Sequence, residues 1–174
     1  VVDNGDMTIK QRNRLLQEMT DEVSELVLEN NYRQGQAISM AESRSLESMS
    51  EYQRYISHME TAGKLDRALE FLPDDEALNE RRSMQIGLTR PELSVLISYS
   101  KAELKEALSL SDVPDDPYLC HELFTAFPRQ LVNGFTVPLT EHRLRREIIG
   151  TQIANHMINM MGINFVDRLR ISTG

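Results

Sequence analysis

The stretch GLTRPELSVLISYSKAELKEALSLSDVPDDPYL, residues Gly87 to Leu119, decides how the rest of the chain is read. Thr89 and Glu92 have the T-x-x-E spacing of a capping box: the hydroxyl accepts the N3 amide and the carboxylate reaches back to the cap's own N–H. Pro91 lies in the first turn, where its missing donor costs nothing, and Glu92 suits the positive end of the helix dipole. Leu93, Leu96, Ile97, Ser100, Leu104 and Leu108 then recur at spacings of three and four, and Val95 and Tyr99 widen the stripe. The spacing predicts a helix of roughly 20 residues, about 30 Å long, covered on more than one side and central to the domain.

On the C-terminal side, Ser111 to Pro117 reads as a rigid corner, with Asp116 capping a helix that starts at Pro117, carries Leu119, Leu123 and Phe124, and ends near Pro128. Gly134 to Pro138 reads as a loop. Thr140 is expected to cap the last long helix, which runs to about Met161 and stops at Gly162. Its apolar surface would be Leu144, Ile148, Ile149, Ile153, Met157, Ile158 and Met161, and a short helix over Phe165–Leu169 follows.

On the N-terminal side, Asn4-Gly5-Asp6 reads as a turn. Thr8 with Gln11 makes a second capping box, opening a helix to about Met19. Thr20-Asp21-Glu22 resembles a fresh cap for a helix with Val23, Leu26, Val27 and Asn30 on its buried face, fraying near Asn30-Asn31. Tyr32 to Leu46 continues helically, with Ala37, Ile38 and Ala41 inward, Met40 as a further inward candidate and Gly35 as a candidate kink. Ser48 or Ser50 restarts a helix bearing Tyr52, Tyr55, Ile56 and Met59, closed by Gly63. Leu65 to Leu72 is a short helical turn stopped by Pro73, and Asp74, Asp75 and Glu76 lead a short helix that ends before Gly87. The expected fold is all-α: an irregular bundle of about eight to ten helices, with long helices near 90–110 and 141–161. It is read as a single helical domain over 1–174, with 1–86 and 87–174 as candidate sub-lobes.

Composition sets the outer limits. In 174 residues, 40% are hydrophobic and 26% charged, which is ordinary for a folded domain. Aromatics are only 6%, with no tryptophan, a bias toward helix over sheet. A net charge of −8 argues against a nucleic-acid partner held through phosphates. The single cysteine, Cys120, permits no internal disulfide and fits a reducing compartment. No apolar run approaches the roughly 18 residues of a membrane span, and no basic-then-apolar leader is present. The cytoplasm is the expected location, with no membrane partner. Because the chain starts at Val1, it reads as a piece of a longer polypeptide.

Motifs for chemistry are few. No G-x-G-x-x-G or G-x-x-x-x-G-K-[ST] offers backbone amides to a phosphate. His58, His121, His142 and His156 form no H-E-x-x-H and no close pair, so no metal is expected. Cys120 beside His121 suggests a nucleophile only superficially, since a free cysteine in an apolar helix is usually core. Met157, Met160 and Met161 read as core filling, with a partner groove as the rival reading. Asp112, Asp115 and Asp116 suit turns and caps. Gly150, in mid-helix, costs about 1 kcal/mol relative to alanine and suggests a close helix crossing.

One feature is harder to explain. Arg143, Arg145 and Arg146 crowd the start of the last long helix, where the dipole disfavours cations. Guanidinium forks pair well with carboxylates. At least one is therefore expected to hold the Asp112–Asp116 corner or Glu92, pinning that helix to the central one. The alternatives are a docking patch for a neighbouring domain and, with Arg143 or Arg146, a site for a carboxylate effector.

Six segments in collinear order, GDMTIKQRNRLL, MTDEVSELVLENNYRQ, LDRALEFLPDDEAL, GLTRPELSVLISYSK, SDVPDDPYL and LRREIIGTQIANHMINMMGINFVDRL, give the chain a family resemblance. Together they resemble the C-terminal helical region of the large bacterial NAD-specific glutamate dehydrogenases. Ser94, Ser98, Ser100 and Gly150 stand where that family would more often have alanine. The resemblance implies a parent enzyme that deaminates L-glutamate oxidatively to 2-oxoglutarate with NAD. It implies too that the glycine-rich glutamate-binding segment, the catalytic lysine and the dinucleotide fold lie before Val1. None of those motifs matches a position here, so no catalytic, cofactor-binding or metal residue is assigned. The expected partners are the catalytic core of the same polypeptide and other subunits. A regulatory amino-acid-binding module and an unrelated helical adaptor are the competing readings.

Overall fold

The computed structural model describes residues 7–173, which fold into nine α-helices and one 3-10 turn, with no strand among the described residues. The turn expected at Asn4-Gly5-Asp6 lies outside them. No helix among the described residues is long and apolar enough to cross a membrane.

The first helix, α1 (Ile9–Ser43), is a single rod of 35 residues, about 50 Å at 1.5 Å per residue. Its expected N-terminal box is present, with Gln11 Oε1 accepting the Thr8 N–H at 2.9 Å and Thr8 Oγ1 accepting the Gln11 N–H at 3.2 Å. The expected break at Thr20 is absent. The Thr20 hydroxyl donates to the Leu16 carbonyl at 3.0 Å, a bond made from inside a helix rather than from a cap. Ion pairs at i,i+4, Arg14–Glu18 and Glu29–Arg33, span the stretches on either side, and the helix runs on through Asn30, Asn31 and Gly35. A second correction concerns what is buried. Val23, Val27, Asn30 and Met40 are exposed and Leu26 is half-buried, while Met19 and Ala37 are buried.

Helix α2 (Met49–Thr61) buries Met49, Tyr52, Tyr55, Ile56 and Met59. It ends at Gly63, whose φ of 68° is the left-handed conformation glycine adopts freely. There the Lys64 N–H donates to the Met59 carbonyl at 2.9 Å, the long bond of a Schellman cap. Residues 67–71 make the expected short turn: Asp66 Oδ1 accepts the N–H groups of Ala68 and Leu69 as a cap does, the Glu70 N–H donates to the Asp66 carbonyl at 3.1 Å, and Phe71, at φ 54°, ends the turn before Pro73. Helix α3 (Asp75–Ser83) starts as expected, with Asp74 Oδ1 accepting the Ala77 N–H at 2.8 Å.

Helix α4 (Arg90–Ser109) is the central element. Its capping box is formed, and Glu92 Oε2 accepts the Thr89 N–H at 2.7 Å. Leu93 and Leu96 are fully buried and Ile97 and Leu108 nearly so. Each fully buried leucine contributes about 1.5–3 kcal/mol. Ser100, buried within this stripe, donates to the Ile163 carbonyl at 2.7 Å, so its polar group is satisfied while its small size lets the 162–164 segment approach. The entry to α4 is clasped to the end of α1, where Ser45 Oγ accepts the Leu88 N–H at 2.5 Å. Gly87 is required there, because a Cβ would lie 2.6 Å from that Oγ.

Past α4, a 3-10 turn (Val113–Asp115) makes the expected corner. Asp116 caps only a turn, accepting the Tyr118 N–H at 2.7 Å, and the following helix α5 (His121–Thr125) begins four residues later than expected. The segment expected as a loop over Gly134–Pro138 is instead two short helices, α6 (Arg129–Gly134) and α7 (Thr136–Thr140). Pro138 is accommodated within the first turn of α7, where its missing N–H costs no helix bond. Thr140 therefore ends α7 and does not cap the last long helix. That helix, α8 (Arg145–Met161), starts at Arg145 and buries Ile149, Gly150, Ala154 and Ile158. Leu144 and Met161, placed on its apolar face by sequence, are exposed, and so is Met160. Gly162, at φ 88°, turns the chain into α9 (Phe165–Thr173).

Packing follows from these stripes. Helix α4 lies against α8, α1 and α9. The larger core joins Ala37 of α1, the α2 face, Leu78, Leu93, Leu96 and Ile97 to Ile158 and Ile163. A smaller core gathers Leu123, Leu139 and Ile149, with Phe124, Phe127 and Val132 against them. Gly150 faces the α4 crossing, where an added Cβ would meet Leu108 at an ordinary 3.7 Å.

Candidate functional site

The three arginines separate into different roles. Arg143 is exposed in the turn before α8, while Arg145 and Arg146 occupy its first turn. Both of the latter converge on Asp115 from the corner after α4: Arg145 Nη2 lies 2.8 Å from Oδ1, and Arg146 pairs with Oδ2. Arg146 Nη2 also donates to the Ser111 carbonyl at 2.9 Å. One carboxylate thus offsets two cations placed against the helix dipole, and it ties α8 to the end of α4. All three side chains are about a third exposed, so each pair is worth no more than about 1 kcal/mol.

Glu92 does not take part. It pairs instead with Arg81 of α3, whose Nη1 lies 2.9 and 2.8 Å from the two carboxylate oxygens. Burial alone would push this carboxyl up; the Arg81 guanidinium and the Thr89 N–H and hydroxyl outweigh it and hold it below the ordinary glutamate range.

A second polar network joins α2, α4 and α9. Asp167, nearly fully buried, accepts from Arg54 Nε at 3.0 Å and lies 3.5 Å from Arg170 Nη1. Arg170 continues to Glu103 on α4, and Asn164 Nδ2 donates to Glu51 at 2.8 Å. Tyr55 sits beside Glu103, and its hydroxyl is pushed up by burial and then by that carboxylate. Arg54 and Asp167 are 113 positions apart, a separation that hides such a pairing from inspection of the sequence.

Cys120 is half-buried rather than core, and the ring of neighbouring His121 turns away to the Tyr118 carbonyl, 2.6 Å from Nδ1, and to Glu122. No group of three or more His, Cys, Asp or Glu among the described residues could hold a metal ion. A hollow of about 390 Å³ between α1 and α6 is lined by Glu18, Asp21, Glu22 and Glu25 with Arg129 and Gln130. Four carboxylates there repel a dicarboxylate such as glutamate.

The feature that sequence reasoning placed wrongly is the outer half of α1. At 3.6 residues per turn, Ile9, Leu16, Val23 and Val27 fall within about 40° of arc, on one line along the rod. They are 63, 52, 41 and 54% exposed. The same line continues into Gln34, Ala37, Ile38 and Ala41, where Ala37 is buried and Ile38 and Ala41 pack on the larger core.

Residues 85–174 match the family model described as glutamate dehydrogenase, C-terminal. The chain belongs to the bacterial NAD-specific glutamate dehydrogenase family. Residues 1–41 match a second model of that family, described as bacterial NAD-glutamate dehydrogenase, catalytic domain. Over all 174 residues the chain is 59% identical to an NAD-specific glutamate dehydrogenase of Pseudomonas aeruginosa and 54% identical to one of Halomonas elongata. The figure is 31% for the protein of the same name in Mycobacterium tuberculosis. In each case the chain spans 11% of the relative's length.

Proposed function

We propose that this chain is the non-catalytic helical part of an NAD-specific glutamate dehydrogenase and that it braces the catalytic core of the same polypeptide. The parent reaction is L-glutamate, NAD and water to 2-oxoglutarate, ammonium and NADH, a step of amino-acid catabolism in the cytoplasm. NAD and glutamate bind in the catalytic core, and this part supplies neither catalytic nor cofactor-binding residues.

The observation that carries this reading is the sharing of α1. Its residues fall within the match to the catalytic-domain model up to position 41, yet Ala37, Ile38 and Ala41 are packed in the core described above. A helix that belongs to both sides makes a stiff joint, because it curves only gently unless its hydrogen-bond ladder is disrupted. The charged residues support the same reading. Arg145 and Arg146 are committed to Asp115, and Arg81 to Glu92, so these guanidinium groups serve helix packing rather than an amino-acid effector. Of the three arginines at α8, only Arg143 is in no ion pair among the described residues, and it is the one assigned to docking.

The test is made on the complete polypeptide. Glutamate-dependent NAD reduction is expected from it, whereas this chain alone should give none. Removing residues 85–174 is expected to lower the yield of assembled, active enzyme. Turnover by the chain alone, or a truncated enzyme of undiminished stability and activity, contradicts the proposal.

A further inference from the structure

We propose that the uncovered stripe of α1, Ile9, Leu16, Val23 and Val27, is the seat of the catalytic part of the same polypeptide, which closes over it as the larger core closes over Ala37, Ile38 and Ala41. This inference rests on the family reading above and adds the surface and the residues.

Four observations lead to it. First, the stripe lies on the same side of the rod as an inner group that already has a partner: Ile38 and Ala41 pack on the larger core, with polar Asn30 and Gln34 between the two groups. Second, the helix is amphipathic: Glu18, Asp21, Glu25 and Glu29 lie within about 80° of arc opposite the stripe, the first three along the edge of the α6 hollow, so the acidic and apolar residues of the rod occupy opposite faces. Third, the neighbouring face of α1 is already occupied. Met19 is buried and Leu15 and Leu26 are half-buried on the side that meets α6, where Gln130 donates to the Glu18 carbonyl at 3.4 Å. The four stripe residues stand next to that contact and outside it. Fourth, the stripe falls within residues 1–41, which match the catalytic-domain model, and the relatives are polypeptides of which this chain spans 11%. An apolar row along about 28 Å of helix, left to water, is a surface that a partner covers. The partner that shares this helix by sequence is the catalytic domain.

The experiment is hydroxyl-radical footprinting of the complete polypeptide, read by mass spectrometry at single side chains of α1. Leu28 and Tyr32 are internal references, since they are exposed on the same rod but lie off the stripe by about 100° or more. Each rate is divided by that side chain's rate in the denatured polypeptide, because tyrosine is intrinsically far more reactive toward hydroxyl radical than valine. So corrected, Leu16, Val23 and Val27 are expected to label about tenfold more slowly than the references, as in a dry interface core. Comparable corrected rates for all five would overturn the proposal. The measurement is repeated across a hundredfold dilution. Protection lost together with subunit dissociation would assign the stripe to a second copy of the chain and likewise overturn it. Glutamate-dependent NAD reduction, assayed on the same sample, separates the two levels. An active enzyme with a freely labelled stripe sinks this inference alone, whereas an inactive one counts against the parent reading.

Discussion

The stripes of α4 and of the outer half of α1 are built alike and end differently. Both are opened by a threonine capping box, and both repeat branched apolar residues at helical spacing. Leu93, Leu96 and Ile97 of α4 are enclosed by α1, α8 and α9, whereas Ile9, Leu16, Val23 and Val27 of α1 face water in this chain. Periodicity records which side chains require burial. It does not record which part of a polypeptide supplies the cover, and on the reading proposed above the two questions separate.

The largest expected effect sharpens that contrast directly. Leu96→Ala should cost about 2–5 kcal/mol in chemical denaturation of this chain, through lost burial and a residual cavity. Val27→Ala should change it by no more than about 0.5 kcal/mol, because the side chain is exposed. A large loss at Val27 in the chain alone would mean that α1 folds back on this domain and that the contrast is false.

The two capping boxes give the next test. Glu92 is buried and held by Arg81, while its counterpart Gln11 is exposed and neutral. Glu92→Ala is expected to cost about 1–3 kcal/mol, because Arg81 is left without its partner. Gln11→Ala should cost well under about 1 kcal/mol. The pH dependence follows from the lowered Glu92 carboxyl. Its contribution is fully present above the ordinary glutamate range and is lost as pH falls through the lower folded-state value. Glu92→Gln should therefore flatten the acid limb of the stability curve; an unchanged limb would show that Arg81 does not hold this carboxylate.

The smallest effect concerns the α4–α8 crossing. Gly150→Ala should stabilise the chain by about 0.5–1 kcal/mol, since the new Cβ meets Leu108 at van der Waals distance and the helix gains propensity. Gly87→Ala should destabilise it, because the Cβ would overlap the Ser45 hydroxyl that holds the α1–α4 clasp. A destabilised Gly150→Ala, measured as a lower Tm, would mean that the crossing is tighter than an ordinary contact.

What could be read from the sequence follows the strength of each local signal. The start of α4 was legible because a capping box and a first-turn proline coincide there, and the α2 face because Tyr52, Tyr55, Ile56 and Met59 repeat at three and four. The arginine pairing at Asp115 was legible because cations at a helix start need a carboxylate nearby. The continuity of α1 was not, because Thr20-Asp21-Glu22 has the composition of a cap while its hydroxyl bonds within the helix. Helices α6 and α7 were missed because five or six residues carry too little periodicity to register. The Arg54–Asp167–Arg170–Glu103 network depends on long-range packing that no local pattern encodes. Spacing puts Met161 on the apolar face of α8 and residue type alone points Met160 to the core, yet both lie at the exposed end of the helix.

The most direct measurement is a structure of the complete polypeptide, read at four side chains. The bracing role predicts that Ile9, Leu16, Val23 and Val27 lie within about 4.5 Å of apolar side chains from the catalytic domain, with α1 unbroken from one side of the joint to the other. Water along that stripe, or α1 divided near Thr20 into two helices that move independently, would contradict it.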